Sequence, residues 1–228
     1  MFKRPRHNQV LQILSAFDSR FLADNSCYFG GGTRIVMELD EYRESLDIDL
    51  LCADSSGYRN IRSQISEQTL GPILLAPFKL ARDVRADRYG IRTFFDVEGV
   101  KVKFEIVAEG RIVLAAQEIK GIPVSCLDRI SCFAEKLLAN ADRWADKSVL
   151  SRDIIDIAFM VSHWGTVPPE ALAIAEKAYG PVVQKCLKNA VELVQSDVSY
   201  LERCFATMCI TDLEKFHAGL KMLSQSFK

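Results

Sequence analysis

YFGGGTRIVMELDEYRESLDIDL, residues 28 to 50, sets three consecutive glycines ahead of two aspartates, Asp47 and Asp49, separated by one residue. On a β-strand successive side chains alternate between faces, so positions i and i+2 point the same way. Asp47 and Asp49 are therefore expected to project together, with Ile48 and Leu50 buried on the opposite face. Two adjacent carboxylates repel each other unless a cation lies between them. Hard oxygen ligands of this kind suit Mg²⁺, which keeps several waters and binds substrate phosphates as well. Gly30, Gly31 and Gly32 carry no Cβ, so backbone amides can approach such phosphates closely. The stretch reads as strand, glycine turn, helix and acid-x-acid strand, a pattern that points to an enzyme handling phosphates.

Working outward, the 228 residues suffice for one large domain or two small ones. With 49% hydrophobic and 26% charged residues the balance is that of an ordinary soluble globular chain. A formal net charge of −1 gives no global attraction to nucleic acid or membrane, so any polyanionic partner must meet a local patch. No apolar run approaches the roughly 20 residues that span a bilayer, and no membrane partner is expected. The basic start, MFKRPRHNQV, lacks the apolar core and cleavage site of a secretory signal. Cysteines at 27, 52, 126, 132, 186, 204 and 209 are odd in number and show no CxxC spacing. They read as mostly buried, reduced thiols of a cytoplasmic protein. His7, His163 and His217 are scattered without metal-ligand spacing, which argues against structural zinc.

Hydrophobic periodicity predicts a helix over 8–23, a short strand at 27–29, a helix over 33–41, a strand over 45–52 and a helix over 58–68. From Pro77 to Val107 the pattern turns to β, in FKLARDV, YGIRTFFDV and VKVKFEIV, with Gly90 and Gly99 as turn residues. The remainder is helical. Ser125 with Asp128 suits a helix start running to Trp144, and a second helix covers about 150–164. Pro168-Pro169 opens a third, Gly180-Pro181 separates it from a fourth, another begins near Asp197, and Thr211 to Glu214 reads as a capping box for the last. The junction falls between Gly121 and Ser125.

Four features carry chemistry. Gly30-Gly31-Gly32-Thr33 follows a strand and opens a helix, so its amides and the helix dipole favour an anion, although it is neither a P-loop nor GxGxxG. In VKVKFEIVAE, Glu105 alternates with Lys101 and Lys103, opposite Val102, Phe104 and Ile106. It is a candidate third metal ligand or, on the plainer view, a solvent-facing acid at a sheet edge; Asp96 is a weaker candidate close to a turn. On the helix ending at Trp144, Ile130, Phe133, Leu137, Ala141 and Trp144 form a core stripe, while Lys136, Asn140, Arg143 and Lys147 form a polar, basic one that is ordinarily solvated. The next helix places Arg152, Asp153 and Asp156 in the very apolar RDIIDIAFMV, where polar groups need partners. Arg152 and Asp156, one turn apart, could pair.

These blocks resemble the AbiEii/AbiGii nucleotidyltransferase toxin family, within the DNA polymerase β-like nucleotidyltransferase superfamily. Gly31-Gly32-Thr33 followed by Arg43-Glu44-Ser45-Leu46-Asp47-Ile48-Asp49 matches the form GGT…RxSxDxD. Lys136 to Ala139, Arg143 and Arg152-Asp153-Ile154-Ile155-Asp156 match KxxA…R…RDxxD. The two blocks occur in the family's order from Phe29 to about Met160. Two departures stand out: Glu105 replaces the aspartate common in the superfamily, and the segment after Trp164 matches no part of the pattern.

The resemblance implies an α+β fold, a nucleotidyltransferase-like mixed sheet with helices over 1–122, followed by an all-α domain over 123–228 that completes the nucleotide site. It implies transfer of a nucleotide from an NTP to an acceptor hydroxyl with release of pyrophosphate. Asp47, Asp49 and Glu105 would hold two Mg²⁺ ions. Gly31, Gly32, Thr33 and Ser45 would cradle phosphates, and Arg43 would steady that loop or add charge. Lys136 would meet the triphosphate, while Asp153 and Asp156 orient Arg143, Lys136 or the nucleotide and Arg152 adds to nucleotide binding. Family toxins extend tRNA 3′ ends, so the implied acceptor is RNA, with an antitoxin as a further partner. A small-molecule acceptor such as an aminoglycoside, and a catalytically inactive binding homologue, are the alternatives. Lys79 to Lys103 holds seven basic residues against four acidic ones, a local charge of +3 that could guide a phosphate backbone.

Overall fold

The computed structural model describes residues 1–227, which gather into two compact units. One comprises Met1–Glu38 with Ser45–Asp128; the other comprises Leu39–Glu44 with the chain from Arg129 onward. The division thus lies after Asp128, beyond the stretch from Gly121 to Ser125 that the sequence suggests. Cys126–Leu127 is the reason, because it forms a strand of the first unit's sheet.

The first unit is built on a seven-stranded mixed sheet. Its strands are β1 (Cys27–Gly30), β2 (Ile48–Cys52), β3 (Leu80–Ala86), β4 (Gly90–Val97), β5 (Val100–Ala108), β6 (Ala116–Gln117) and β7 (Cys126–Leu127), in the order β3-β4-β5-β2-β1-β7-β6. β3, β4 and β5 form an antiparallel meander. β2 then joins β5 in parallel and β1 antiparallel. Helices α1 (Pro5–Ser15), α2 (Ser19–Asp24), α3 (Gly31–Glu38) and α4 (Ser55–Ser63) complete the unit. Val102, Phe104 and Ile106 are fully buried while Lys101, Lys103 and Glu105 alternate on the other face, as the period-2 pattern requires. Phe17, Phe95 and Phe104 meet edge-on or tilted with centroids 5.3–6.0 Å apart. Truncating a core phenylalanine of this kind to alanine costs about 3–5 kcal/mol.

The single helix expected over 8–23 is two. Phe17 makes a β-bridge to Leu74, and the Asp18 carboxylate accepts the Phe21 amide, capping a fresh start. Periodicity alone runs through such a break, because both helices bury apolar residues on the same core.

The second unit is all helical: α5 (Arg129–Arg143), α6 (Arg152–Trp164), α7 (Pro169–Tyr179), α8 (Val182–Ser196), α9 (Val198–Met208) and α10 (Leu213–Gln225). α6 is its centre, with Ile154, Ile155, Ile157, Ala158, Phe159, Met160 and Val161 at most 1% exposed. A Cβ at Gly219 would overlap the Ala158 carbonyl, so α10 packs directly on the α6 backbone. α5 begins at Arg129 rather than Ser125, since the residues before it pair in the sheet. The last helix is capped not by a Thr211 box but by Asp212, whose carboxylate accepts the Lys215 amide. Among the described residues no helix is long and apolar enough to cross a membrane. All seven cysteines are thiols outside any disulfide, and Cys209 alone of them is exposed.

Candidate active site

In the first unit the chain leaves β1 and enters α3 at Gly31, whose φ of +68° is readily adopted only by glycine. A Cβ at this position would also overlap Asp49 Oδ2. The glycine is therefore required twice, by backbone conformation and by a carboxylate set against the helix N-terminus. Gly30 stands opposite Asp49 in the β1–β2 register, which fixes that approach. Ile48 and Leu50 are fully buried while Asp49 on β2 and Asp47 just before it are half-buried, and both act electrostatically on Lys103. A negative charge at a helix N-terminus is favoured by the helix dipole.

Thr33 and Ser45 lie close by. The Thr33 side chain is fully buried, and its Oγ1 hydrogen-bonds Ser45 Oγ at 2.8 Å. The Ser45 amide donates to His7 Nε2 at 3.3 Å. These contacts tie the first turn of α3 to the segment entering β2.

Glu105 lies directly across from Asp49, because β2 and β5 pair in parallel with those residues in register. It is not on a sheet edge, since β5 lies between β4 and β2. Both of its oxygens are engaged: Arg92 Nε donates to Oε1 at 2.6 Å and Lys103 Nζ to Oε2 at 2.8 Å. Burial pushes the Glu105 carboxyl up, but the adjoining Lys103 and Arg92 outweigh it and hold it below its usual value. Burial likewise works against the Lys103 charge, and Glu105, then Asp49 and Asp47, more than restore it. Asp96 is remote from this group along β4, opposite Lys101 and paired with Lys79 at 2.6 Å.

The donor chemistry of Asp47 and Asp49 fits a hard divalent cation. Glu105, the third carboxylate named from sequence, is ion-paired through both of its oxygens. Among the described residues no three acid, imidazole or thiol groups gather closely enough to hold a metal ion together.

The second unit holds a quite different acidic pair. Asp153 and Asp156, one turn apart on α6, are 3% and 0% exposed. Asp153 accepts from Lys136 Nζ at 3.0 Å and from Arg143 Nε at 2.6 Å. Asp156 accepts from Arg43 Nε at 2.7 Å and Nη2 at 2.9 Å, from Lys136 Nζ at 2.6 Å and from the Tyr42 hydroxyl at 2.6 Å. The Tyr42 ring stacks on Phe159 with centroids 3.8 Å apart. Burial pushes both carboxyls up, yet the surrounding cations outweigh it and leave both below the usual range, Asp156 well below. Desolvation and the Asp156 charge push the Tyr42 hydroxyl far up, so it stays protonated and donates.

The one-turn spacing on α6 offers Arg152 as a possible partner for Asp156. The structure gives Asp156 to Arg43 and Lys136 instead, and Arg152 makes no ion pair among the described residues. The stripe of Lys136 and Asn140 is not solvated, for both are buried. Lys147, expected on that stripe, lies beyond α5 in a 3₁₀ turn and pairs with Asp197. Tyr42, Arg92 and Lys103 escaped notice as site residues; only the alternation of Lys103 with Glu105 gave any signal of theirs.

A mixed sheet with a glycine-opened helix set against an acid-x-acid strand is the frame of a nucleotidyltransferase. Over residues 12–213 the chain matches the family described as nucleotidyl transferase AbiEii toxin, type IV toxin–antitoxin system, and it belongs to that family. No curated protein matches. Among solved structures, the fold is similar to that of a Helicobacter pylori protein provisionally described as a nucleotidyltransferase, at 16% identity and a TM-score of 0.53, covering 96% of this chain and 92% of that one. JHP933 from Helicobacter pylori is similar at 17% identity and a TM-score of 0.52, covering 99% and 92%. The protein is an α+β nucleotidyltransferase.

Proposed function

We propose that Asp47 and Asp49 hold Mg²⁺ and that the enzyme passes a nucleotide from an NTP to an RNA hydroxyl, a tRNA 3′ end first among candidates. The observation that carries this reading is Gly31, where a carboxylate meets a helix N-terminus too closely for any side chain. Bound Mg²⁺ would supply charge neutralisation for the triphosphate and lower the pKa of the acceptor hydroxyl. The amides of Gly31 and Gly32, at the start of α3, favour the negative charge of phosphate groups. Thr33, being buried, acts on Ser45 rather than on the nucleotide, and fixes the approach to β2. Such transfer depends mainly on positioning and charge.

Of the two roles open to Arg43, the geometry favours steadying the chain, since Asp156 takes its guanidinium edge two residues ahead of Ser45 in sequence. Lys136 and Arg143 are braced by Asp153 in the same way. Arg152, half-buried and in no ion pair among the described residues, is the cation of the RDxxD block best suited to an anionic ligand. Exposed Arg82, Arg85 and Lys101 on β3 and β5 support a polyanionic acceptor. Lys79, Arg92 and Lys103 contribute less, being paired locally with Asp96, Asp87 and Glu105. Membership of a toxin–antitoxin family makes a cognate antitoxin the expected partner.

Incubation with each α-labelled NTP, Mg²⁺ and total tRNA tests the acceptor. Label should enter RNA with at least one NTP and should be lost in Asp49→Asn. Unlabelled RNA with all four would exclude the tRNA reading.

A further inference from the structure

The face that carries Asp49 already holds a cation of its own. β2 and β5 run in parallel with Ile48 opposite Phe104 and Asp49 opposite Glu105. Asp47 lies one residue before β2, and both it and Asp49 act on the Lys103 ammonium electrostatically. Strand alternation brings Asp49, Lys103 and Glu105 to one face, while Ile48, Phe104 and Ile106 fill the other. On that face Lys103 Nζ donates to Glu105 Oε2 at 2.8 Å, and Arg92, opposite Glu105 on β4, takes the second oxygen at 2.6 Å. The Glu105 side chain is only 15% exposed, and those of Lys103 and Arg92 are 39% and 38% exposed. Glu105 is thus the anchor of two cations rather than a carboxylate awaiting a third.

We infer that the Lys103 ammonium, held by Glu105, stands in for a second divalent ion, so that this centre takes one Mg²⁺ on Asp47 and Asp49. The inference rests on the metal reading of those two aspartates and departs from it in the number of ions and in the role of Glu105. For Glu105 to join Asp47 and Asp49 around two divalent ions, its Oε2 would have to leave Lys103, while Oε1 could stay with Arg92. With Lys103 kept, the same face carries a fixed positive charge two residues from Glu105 on the strand, and a single ion completes the neutralisation. Arg92 has a second partner in Asp87, at 3.1 Å, and so holds the far side of Glu105 in place.

The test is a count of ions. Wild-type protein and Lys103→Met are crystallised with Mn²⁺ and each α,β-methylene nucleotide in turn, and manganese is counted per chain from anomalous scattering. Thermal melting of Lys103→Met confirms that it is folded. One Mn²⁺ in wild type and two in Lys103→Met is the expected result. Two in wild type, or one in both, overturns the role of Lys103 while leaving Asp47 and Asp49 as ligands. No Mn²⁺ on Asp47 and Asp49 in either protein overturns the metal reading itself, and this inference with it. Electron paramagnetic resonance of the same complexes gives an independent readout. Uncoupled Mn²⁺ is expected in wild type, and a pair about 3.5–4 Å apart, the spacing of two-metal centres, in Lys103→Met.

Discussion

Two aspartate pairs, one in each unit, have nearly the same spacing and opposite surroundings. Asp47 and Asp49 are half-buried, and the strand face of Asp49 also bears Lys103 and Glu105. Asp153 and Asp156 are at most 3% exposed and share Arg43, Lys136, Arg143 and Tyr42 among them. A buried carboxylate is tolerable only when cations and donors meet nearly all of its lone pairs, and one so satisfied has little left for a ligand. Asp47 and Asp49 are less enclosed. The comparison divides residues that sequence motifs group together as one site into a half-buried pair and a buried, cation-held pair.

The contrast can be broken most forcefully at Asp156. Asp156→Ala leaves the buried Arg43 without its carboxylate and Lys136 with Asp153 alone, and should destabilise the protein by about 3–5 kcal/mol, read from denaturant unfolding. A loss below 1 kcal/mol would remove the architectural role. Gly31→Ala comes next, since alanine must adopt a positive φ and displace the Asp49 carboxylate. A cost of about 1–3 kcal/mol is expected, together with loss of nucleotide transfer in whatever protein folds. Tyr42→Phe deletes one hydrogen bond to a charged group and should cost about 1.5 kcal/mol, with the ring stack on Phe159 intact.

The gentlest probe is pH. Asp153 and Asp156 have native pKa values below the unfolded value of about 3.9. Their contribution is complete above that unfolded value and is lost as pH falls through the depressed native ones. Each proton taken up adds about 1.4 kcal/mol per pH unit to the slope of stability. Unfolding free energy followed below pH 4 should therefore drop more steeply in wild type than in Asp156→Asn. Equal slopes would contradict the depressed titration.

Much of the first unit was legible in sequence because a strand repeats every two residues. VKVKFEIV declares its buried face, and the DID triplet sets a buried isoleucine between two acids. Glycines ahead of a helical period mark the turn into α3. The helical unit was legible as elements, through Pro169, Gly180 and Asp197, but not as contacts. Arg43 and Asp156 are 113 positions apart, and no local periodicity links them. Lys136 and Asn140 read as a solvated stripe because a helical wheel shows which residues share a face, not what covers it. The pairing of Glu105 with Arg92 was hidden for the same reason: a cross-strand neighbour depends on the register of a hairpin, which the turn at Gly99 sets only after folding.

The central claim is that the accessible pair does the chemistry. Nucleotide incorporation by Asp47→Asn, measured on protein whose melting temperature is native, tests it most directly. The account predicts a fall on the order of 10³-fold or more, the several kcal/mol that a metal ligand contributes to the transition state. Near-native turnover in a folded Asp47→Asn protein would contradict it.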